Sequence, residues 1–178
     1  MKYLRLLSLT FCLFLTAACS TQYPNQQLVG KTFPTVQGES LEKQEYTLPK
    51  DFDHPLTLLL LGYVQDSQFD IDRWLIGLEM TETRLPVYEL PTMQGMFPRM
   101  FSTFIDNGMR AGIPKEMWKG VITIYQGGDN IQQFTGNERP NNARVMLLDS
   151  NAKILHFYDR GFSAPALMAL LETIEKQK

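Results

Sequence analysis

Leu56-Thr57-Leu58-Leu59-Leu60-Leu61-Gly62, running on into Tyr63-Val64-Gln65-Asp66-Ser67-Gln68-Phe69, is the stretch on which the fold turns. The apolar run is too short for a helix buried on both faces. It also lacks the polar alternation of a half-exposed strand. It reads as the central strand of a parallel sheet, covered on both sides. Directly downstream, Ile71, Trp74, Leu75 and Leu78 recur at i, i+3, i+4 and i+7, the spacing of an amphipathic helix. Ser67, three residues ahead of Asp70, has the spacing of a capping box at that helix's start.

Outward from this unit the alternation continues. Leu85 to Leu90 reads as a strand, with Pro86 near its beginning, where a missing N–H does least harm. Phe97, Met100, Phe101, Phe104 and Ile105 form a second helical stripe, with Pro98 in its first turn and Gly108 and Gly112 loosening its end. Val121 to Tyr125 is a strand, and Asp129 opens a short helical turn bearing Ile131 and Phe134. Arg144–Leu148 and Ile154–Tyr158 are two strands joined by a hairpin-length loop, in which Asn151 is the expected left-handed residue. Ser163 caps a last helix, with Pro165 in its first turn and Leu167, Leu170, Leu171 and Ile174 as its buried stripe. Ahead of all this, Leu28 to Phe52 is punctuated by Gly30, Pro34, Gly38 and Pro49 and reads as an irregular lead-in with a small hairpin.

The order β-α-β-α-β-α-β-β-α makes this an α/β chain, with a central mixed sheet and helices on both faces. There is no internal repeat and no second domain. The order resembles the thioredoxin-like fold, and local text agrees. Gly30-Lys31-Thr32-Phe33-Pro34 resembles the G-K-x-x-P opening of redoxin and peroxiredoxin-type domains. Val145-Met146-Leu147-Leu148-Asp149-Ser150-Asn151-Ala152-Lys153-Ile154 resembles their late hairpin. Val121 through Gly161 is also similar to ATP synthase assembly factors of the Atp10 type. The resemblance covers Leu28 to Ile174.

It implies a reactive cysteine just after the first core strand, where a helix N-terminus lowers a thiol pKa. This chain has Gly62 to Phe69 there and no cysteine. The two cysteines are Cys12 and Cys19. Exchange needs a thiolate, so thiol–disulfide chemistry by that route is excluded. The resemblance also implies a cis-proline before the strand at Arg144. Here the stretch is Pro140-Asn141-Asn142-Ala143, and Pro140 stands too early.

The chain's start explains where its cysteines go. Lys2 and Arg5 precede an uncharged apolar run, Leu6 to Ala18, in the order of a secretory signal. That run is short of the roughly 20 residues of a spanning helix. Leu15-Thr16-Ala17-Ala18-Cys19 resembles the lipobox of bacterial lipoproteins, with Thr16 departing from the usual Leu. The resemblance implies cleavage after residue 18 and acyl chains, palmitate among them, on Cys19. Several chains anchor a protein stably. Residues 19–27 are then the lipidated N-terminus and linker, and 28–178 the domain. Ser20, where an Asp would favour the inner membrane, implies the outer membrane facing the periplasm, with inner-membrane anchoring as the alternative.

Loss of Lys2 and Arg5 leaves 15 basic against 19 acidic residues, a formal net charge of −4. That balance excludes nucleic acid as a natural partner. Asp66, Asp70 and Asp72 cluster at the expected helix start, either as a cation site or as acids suited to the helix dipole. His54 and His156 are two histidines without a cysteine, a poor zinc set. No G-x-S-x-G elbow frames Ser67 or Ser163. Arg99, Arg110, Arg139, Arg144 and Arg160 read as scattered, solvated cations or as a cluster for an acidic partner. Met93, Met96, Met100 and Met109 read as core or as an adaptable surface.

The expectation is a redox-inactive thioredoxin-like lipoprotein. It would serve as a binding, accessory or assembly factor with a protein partner in the envelope and with no cofactor or metal. Its candidate binding residues are Asp66, Ser67, Asp70, Arg110, Arg144 and His156. The alternative is a non-thiol enzyme, or a small-ligand or metal-binding protein, using the same cleft.

Overall fold

A computed structural model describes residues 21–178. The signal expected over residues 1–18, and Cys19, lie outside the described residues. Strand β3 (Leu56–Gly62) is the centre of a four-stranded sheet ordered β4-β3-β6-β7, with β4 Val87–Pro91, β6 Arg144–Asp149 and β7 Ile154–Tyr158. β4 runs parallel to β3, β6 antiparallel to it, and β7 antiparallel to β6. Leu58, Leu59, Leu60 and Leu61 are each wholly buried. The continuous apolar run thus serves a strand covered on both faces.

One face carries α1 (Gln68–Met80) and α5 (Ala164–Glu175). Ile71, Trp74 and Leu78 of α1, with Leu167, Leu170 and Ile174 of α5, pack on Leu58, Leu60, Val145 and Leu147. The Trp74 ring stands edge-on to Phe162 at 5.3 Å and to Tyr158 at 5.9 Å. The other face meets Leu28, Phe33, Val36, Leu48 and, from α4 (Gly128–Thr135), Ile131. Helices therefore lie on both faces of a mixed sheet, as the sequence predicts. The lead-in forms the expected hairpin, β1 (Val36–Ser40) with β2 (Glu45–Leu48).

Several expectations change. The strand expected over Val121–Tyr125 is only Ile122–Thr123 (β5), paired antiparallel to β1 in a sheet ordered β2-β1-β5. Single parallel bridges, Glu89 to Val121 and Thr92 to Ile124, join it to the β4 edge. The helix expected around Phe97–Ile105 is two, α2 (Met96–Met100) and α3 (Ser102–Gly112). They are interrupted at Phe101, whose backbone leaves the helical region at φ −112°. In the β6–β7 turn the left-handed residue is Ala152, φ 61°, not Asn151. The Asp149 carboxylate accepts from the Asn151 and Lys153 N–H groups and so shapes the loop. Ser163 caps α5 as expected, accepting from the Ala166 N–H.

Residues 21–27, the described part of the expected linker, are held against the domain. Tyr23 N–H donates to the Asn137 side chain at 2.7 Å, and Asn137 N–H returns to the Tyr23 carbonyl at 3.0 Å. The Asn137 amide also donates to the Thr21 carbonyl. Gly136 is needed for this approach. Its φ is +80°, and a Cβ there would stand 2.3 Å from the Asn25 Cα.

Candidate functional site

The turn after β3 is where this architecture brings a helix N-terminus to the sheet's edge. The last residue of the strand is Gly62, where a Cβ would lie 2.5 Å from the Ser67 hydroxyl. A 3₁₀ turn, Gln65–Ser67, leads into α1. The expected capping box does not form. Ser67 is itself already helical, φ −65° and ψ −18°, so its side chain cannot reach forward to cap. Its buried hydroxyl donates back to the Val64 carbonyl at 2.6 Å.

The three clustered acids point apart. Asp66 is exposed, and Asp72 accepts from Gln68 on the helix surface. Asp70 is buried, and its two oxygens accept from the Ala143 N–H at 2.9 Å and the Phe162 N–H at 2.7 Å. One carboxylate thus ties α1 to the residue before β6 and to the segment leading into α5. Among the described residues no group of three or more His, Cys, Asp or Glu is placed to hold a metal ion.

On the other face of the sheet, Arg144 is wholly buried, which corrects its reading as a solvated arginine. Its guanidinium lies 4.6 Å from the Tyr63 ring centre. It donates to the carbonyls of Gly136 (3.2 Å), Arg139 (2.8 Å) and Asn142 (2.7 Å). Among the described residues the remaining nitrogen, Nη2, is buried with no partner and no carboxylate stands within ion-pair distance of the guanidinium. Burial lowers its pKa. The Tyr63 hydroxyl lies 2.5 Å from the Thr135 hydroxyl. The two hydroxyls share this hydrogen bond, and the Thr135 hydroxyl also lies within reach of the Ile131 and Gly136 carbonyls. Burial pushes the Tyr63 pKa up to about 12, the nearby guanidinium only partly offsetting it. Tyr63, Thr135 and Arg144 thereby lock the loop ahead of β6. The peptide bond preceding Pro140 is trans and the residue at the strand's entrance is Ala143.

Between the α1 start and that loop lies an open groove of about 550 Å³, lined by Asp66, Phe69, Asp70, Arg73, Asn141, Asn142, Arg160, Gly161 and Phe162. Its lining mixes both charges with exposed Phe69. Of the six candidate residues, Asp66 and Asp70 line it, while Ser67 and Arg144 are buried and do not. Arg110 and His156 are elsewhere. Arg110, on α3, donates to the Leu41 carbonyl at 2.7 Å and lines a second groove of about 440 Å³ with Lys115 and Trp118. His156, on β7, lies 3.4 Å from the Thr173 hydroxyl of α5, and its Nε2 is buried without a partner among the described residues. Burial lowers its pKa.

Sequence reasoning missed Tyr63, Thr135, Asn137 and Glu89. Glu89 is buried in β4, its pKa raised by that burial, with Gln68 donating to it at 3.3 Å. Its signal was an acid inside an otherwise apolar strand. Tyr63 offered only an aromatic beside a strand-ending glycine.

No family profile and no curated protein sequence matches the chain. Solved structures do. The chain is similar to a thiol peroxidase from Chromobacterium violaceum at 15% identity and TM-score 0.59, covering 89% of this chain and 93% of that one. It is similar to the thioredoxin domain of a thiol-disulfide oxidoreductase from Bacteroides vulgatus at 13% and 0.51, covering 84% and 99%. It is similar to the exposed lipoprotein thioredoxin Etrx1 of Streptococcus pneumoniae at 12% and 0.53, covering 80% and 99%. At such identities the likeness speaks to the fold, and the fold of this chain is thioredoxin-like.

Proposed function

We propose that the chain is a lipid-anchored envelope protein, held through Cys19. Its thioredoxin-like domain binds a protein partner as an accessory or assembly factor and performs no thiol–disulfide exchange. The observation that carries this reading is the helix start after β3. No residue from 21 to 178 is a cysteine, and Ser67, the serine at that helix start, is buried and committed to the Val64 carbonyl. The loop facing that start is locked by Arg144 and Asp70. What remains available is the groove surface, with Phe69 70% exposed above mixed charge, a surface suited to a polypeptide. The likeness to an exposed lipoprotein of the same fold supports the pairing of anchor and domain. The outer membrane, periplasmic side, is the favoured site because Ser20 follows Cys19.

The test is photo-crosslinking in intact cells, with a photoreactive residue replacing Phe69 in the full-length protein and, as control, Met80, also exposed, at the far end of α1. A protein adduct formed from position 69 and not from 80 is expected. Equal background at both positions overturns the binding role. Mass measurement of the membrane-extracted protein should find an acylated Cys19, and an intact Met1 would remove the anchor from the proposal. Turnover in an insulin-reduction assay would contradict the redox-inactive reading.

A further inference from the structure

Three large apolar side chains on α2 and α3 stand in water. Met96 is 75% exposed, Met100 72% and Phe104 80%. Met96 and Met100 stand four residues apart on α2, and Phe104 follows on α3 just past the break at Phe101, so the three form an exposed apolar stripe along two successive helices. The opposite side of α3 is held to the domain. The Tyr125 hydroxyl donates to the buried Asp106 carboxylate at 2.8 Å, and Arg110 donates to the Leu41 carbonyl. The stripe is therefore fixed outward.

The first described residue, Thr21, is held close to it. Gln94, two residues ahead of Met96, donates from its side chain to the Thr21 carbonyl at 3.2 Å. The same carbonyl is held by Asn137 at 2.8 Å. Only Ser20 separates Thr21 from Cys19, and two residue steps reach at most about 7 Å. Any lipid on Cys19 is therefore tethered next to the beginning of the stripe by a segment with almost no free length.

We infer that Met96, Met100 and Phe104 rest in the headgroup region of the bilayer that holds Cys19, so that the domain is docked on the membrane in one orientation. This deepens the proposed function and rests on its lipid anchor. A helix that lies in the interface buries its apolar face about 5–10 Å below the headgroups, with cations favoured on its polar side. α2 carries the exposed Arg99, while the one acid of the two helices, Asp106, is buried against Tyr125. That balance suits anionic lipid. The arrangement also turns a marginal apolar surface into a bound one, because the anchor supplies the bilayer at short range.

The test uses the full-length acylated protein, in which lipidation blocks Cys19. Phe104→Cys, Met100→Cys and Met168→Cys each then offer one thiol for an environment-sensitive fluorophore. Met168 is 61% exposed on α5 and serves as an apolar control away from the tether. In vesicles of phosphatidylethanolamine and phosphatidylglycerol containing brominated lipid, labels at 100 and 104 should be quenched several-fold more than the label at 168. Equal, weak quenching at all three, with Cys19 acylated by mass, overturns the docking and leaves the anchor standing. Protein that carries no acyl group and does not float with vesicles overturns the anchor, and the docking with it. Shielding at 104 that disappears when protein is diluted at constant lipid assigns the stripe to a second copy and also overturns the inference.

Discussion

The guanidinium of Arg144 sits over the ring of Tyr63, 4.6 Å from its centre, so the first residue of β6 and the turn after β3 hold each other. A cation over an aromatic face in a water-poor setting contributes on the order of 2 kcal/mol. Arg144 adds three donated hydrogen bonds to loop carbonyls.

Arg144→Met keeps much of the volume and leaves those carbonyls without donors. We expect it to cost about 3 kcal/mol in urea unfolding. Arg144→Lys keeps the charge but loses the planar fork, and should recover only part of that loss. A methionine variant as stable as the parent would mean that the carbonyls find other donors.

Tyr63 predicts an alkaline transition. Its folded pKa is near 12 against an ordinary 10.0. The folded state therefore holds the phenol proton more tightly. That contribution is complete below pH 10 and is lost as pH rises from 10 towards 12. Two units correspond to about 3 kcal/mol. Tyr63→Phe should lessen the loss of stability across this window, the raised Tyr46, Tyr88 and Tyr125 keeping their share, and the variant should show one late-ionising tyrosine fewer than the parent in a phenolate absorbance titration.

His156 acts at the other end. Burial lowers its pKa from 6.5, so the unfolded chain takes up a proton before the folded one does. Stability is then complete above pH 6.5 and falls as pH drops below it. His156→Leu should remove most of that slope in chemical denaturation at a series of pH values.

Asp70 holds two backbone N–H groups with two oxygens. Asp70→Asn keeps one acceptor and should cost about 2 kcal/mol, since one buried donor is stranded. Amide exchange should quicken first at Ala143 or Phe162. Unchanged exchange at both would mean that the carboxylate is not what ties α1 to these loops.

What could be read in the chain was periodic or local. The Leu56–Leu61 run, the Ile71–Leu78 stripe, the Ser163 cap and the 144–158 hairpin all appear in the fold. Each depends on neighbours within a few residues. The misread features depend on distant ones. Asp70 finds its partners 73 and 92 residues away, and Tyr23 pairs with a side chain 114 residues on. Arg144 looked like any surface cation because its cage is built from the carbonyls of a loop, which carry no side-chain signature. The groove was half legible: its acids were, but Phe69, Arg73 and Arg160 meet only because α1 and the 160–162 segment are neighbours in space.

The attachment of residues 21–27 has a mechanical side. A pull applied to the chain ahead of Thr21 does not reach β1 directly. It is first shared by the Thr21, Tyr23 and Gln26 backbone groups, bonded to Asn137 and Thr135 at the end of α4. These bonds must shear before the sheet feels any load. The segment therefore works as a strain relief, and the four-stranded core is insulated from whatever tugs on the N-terminus.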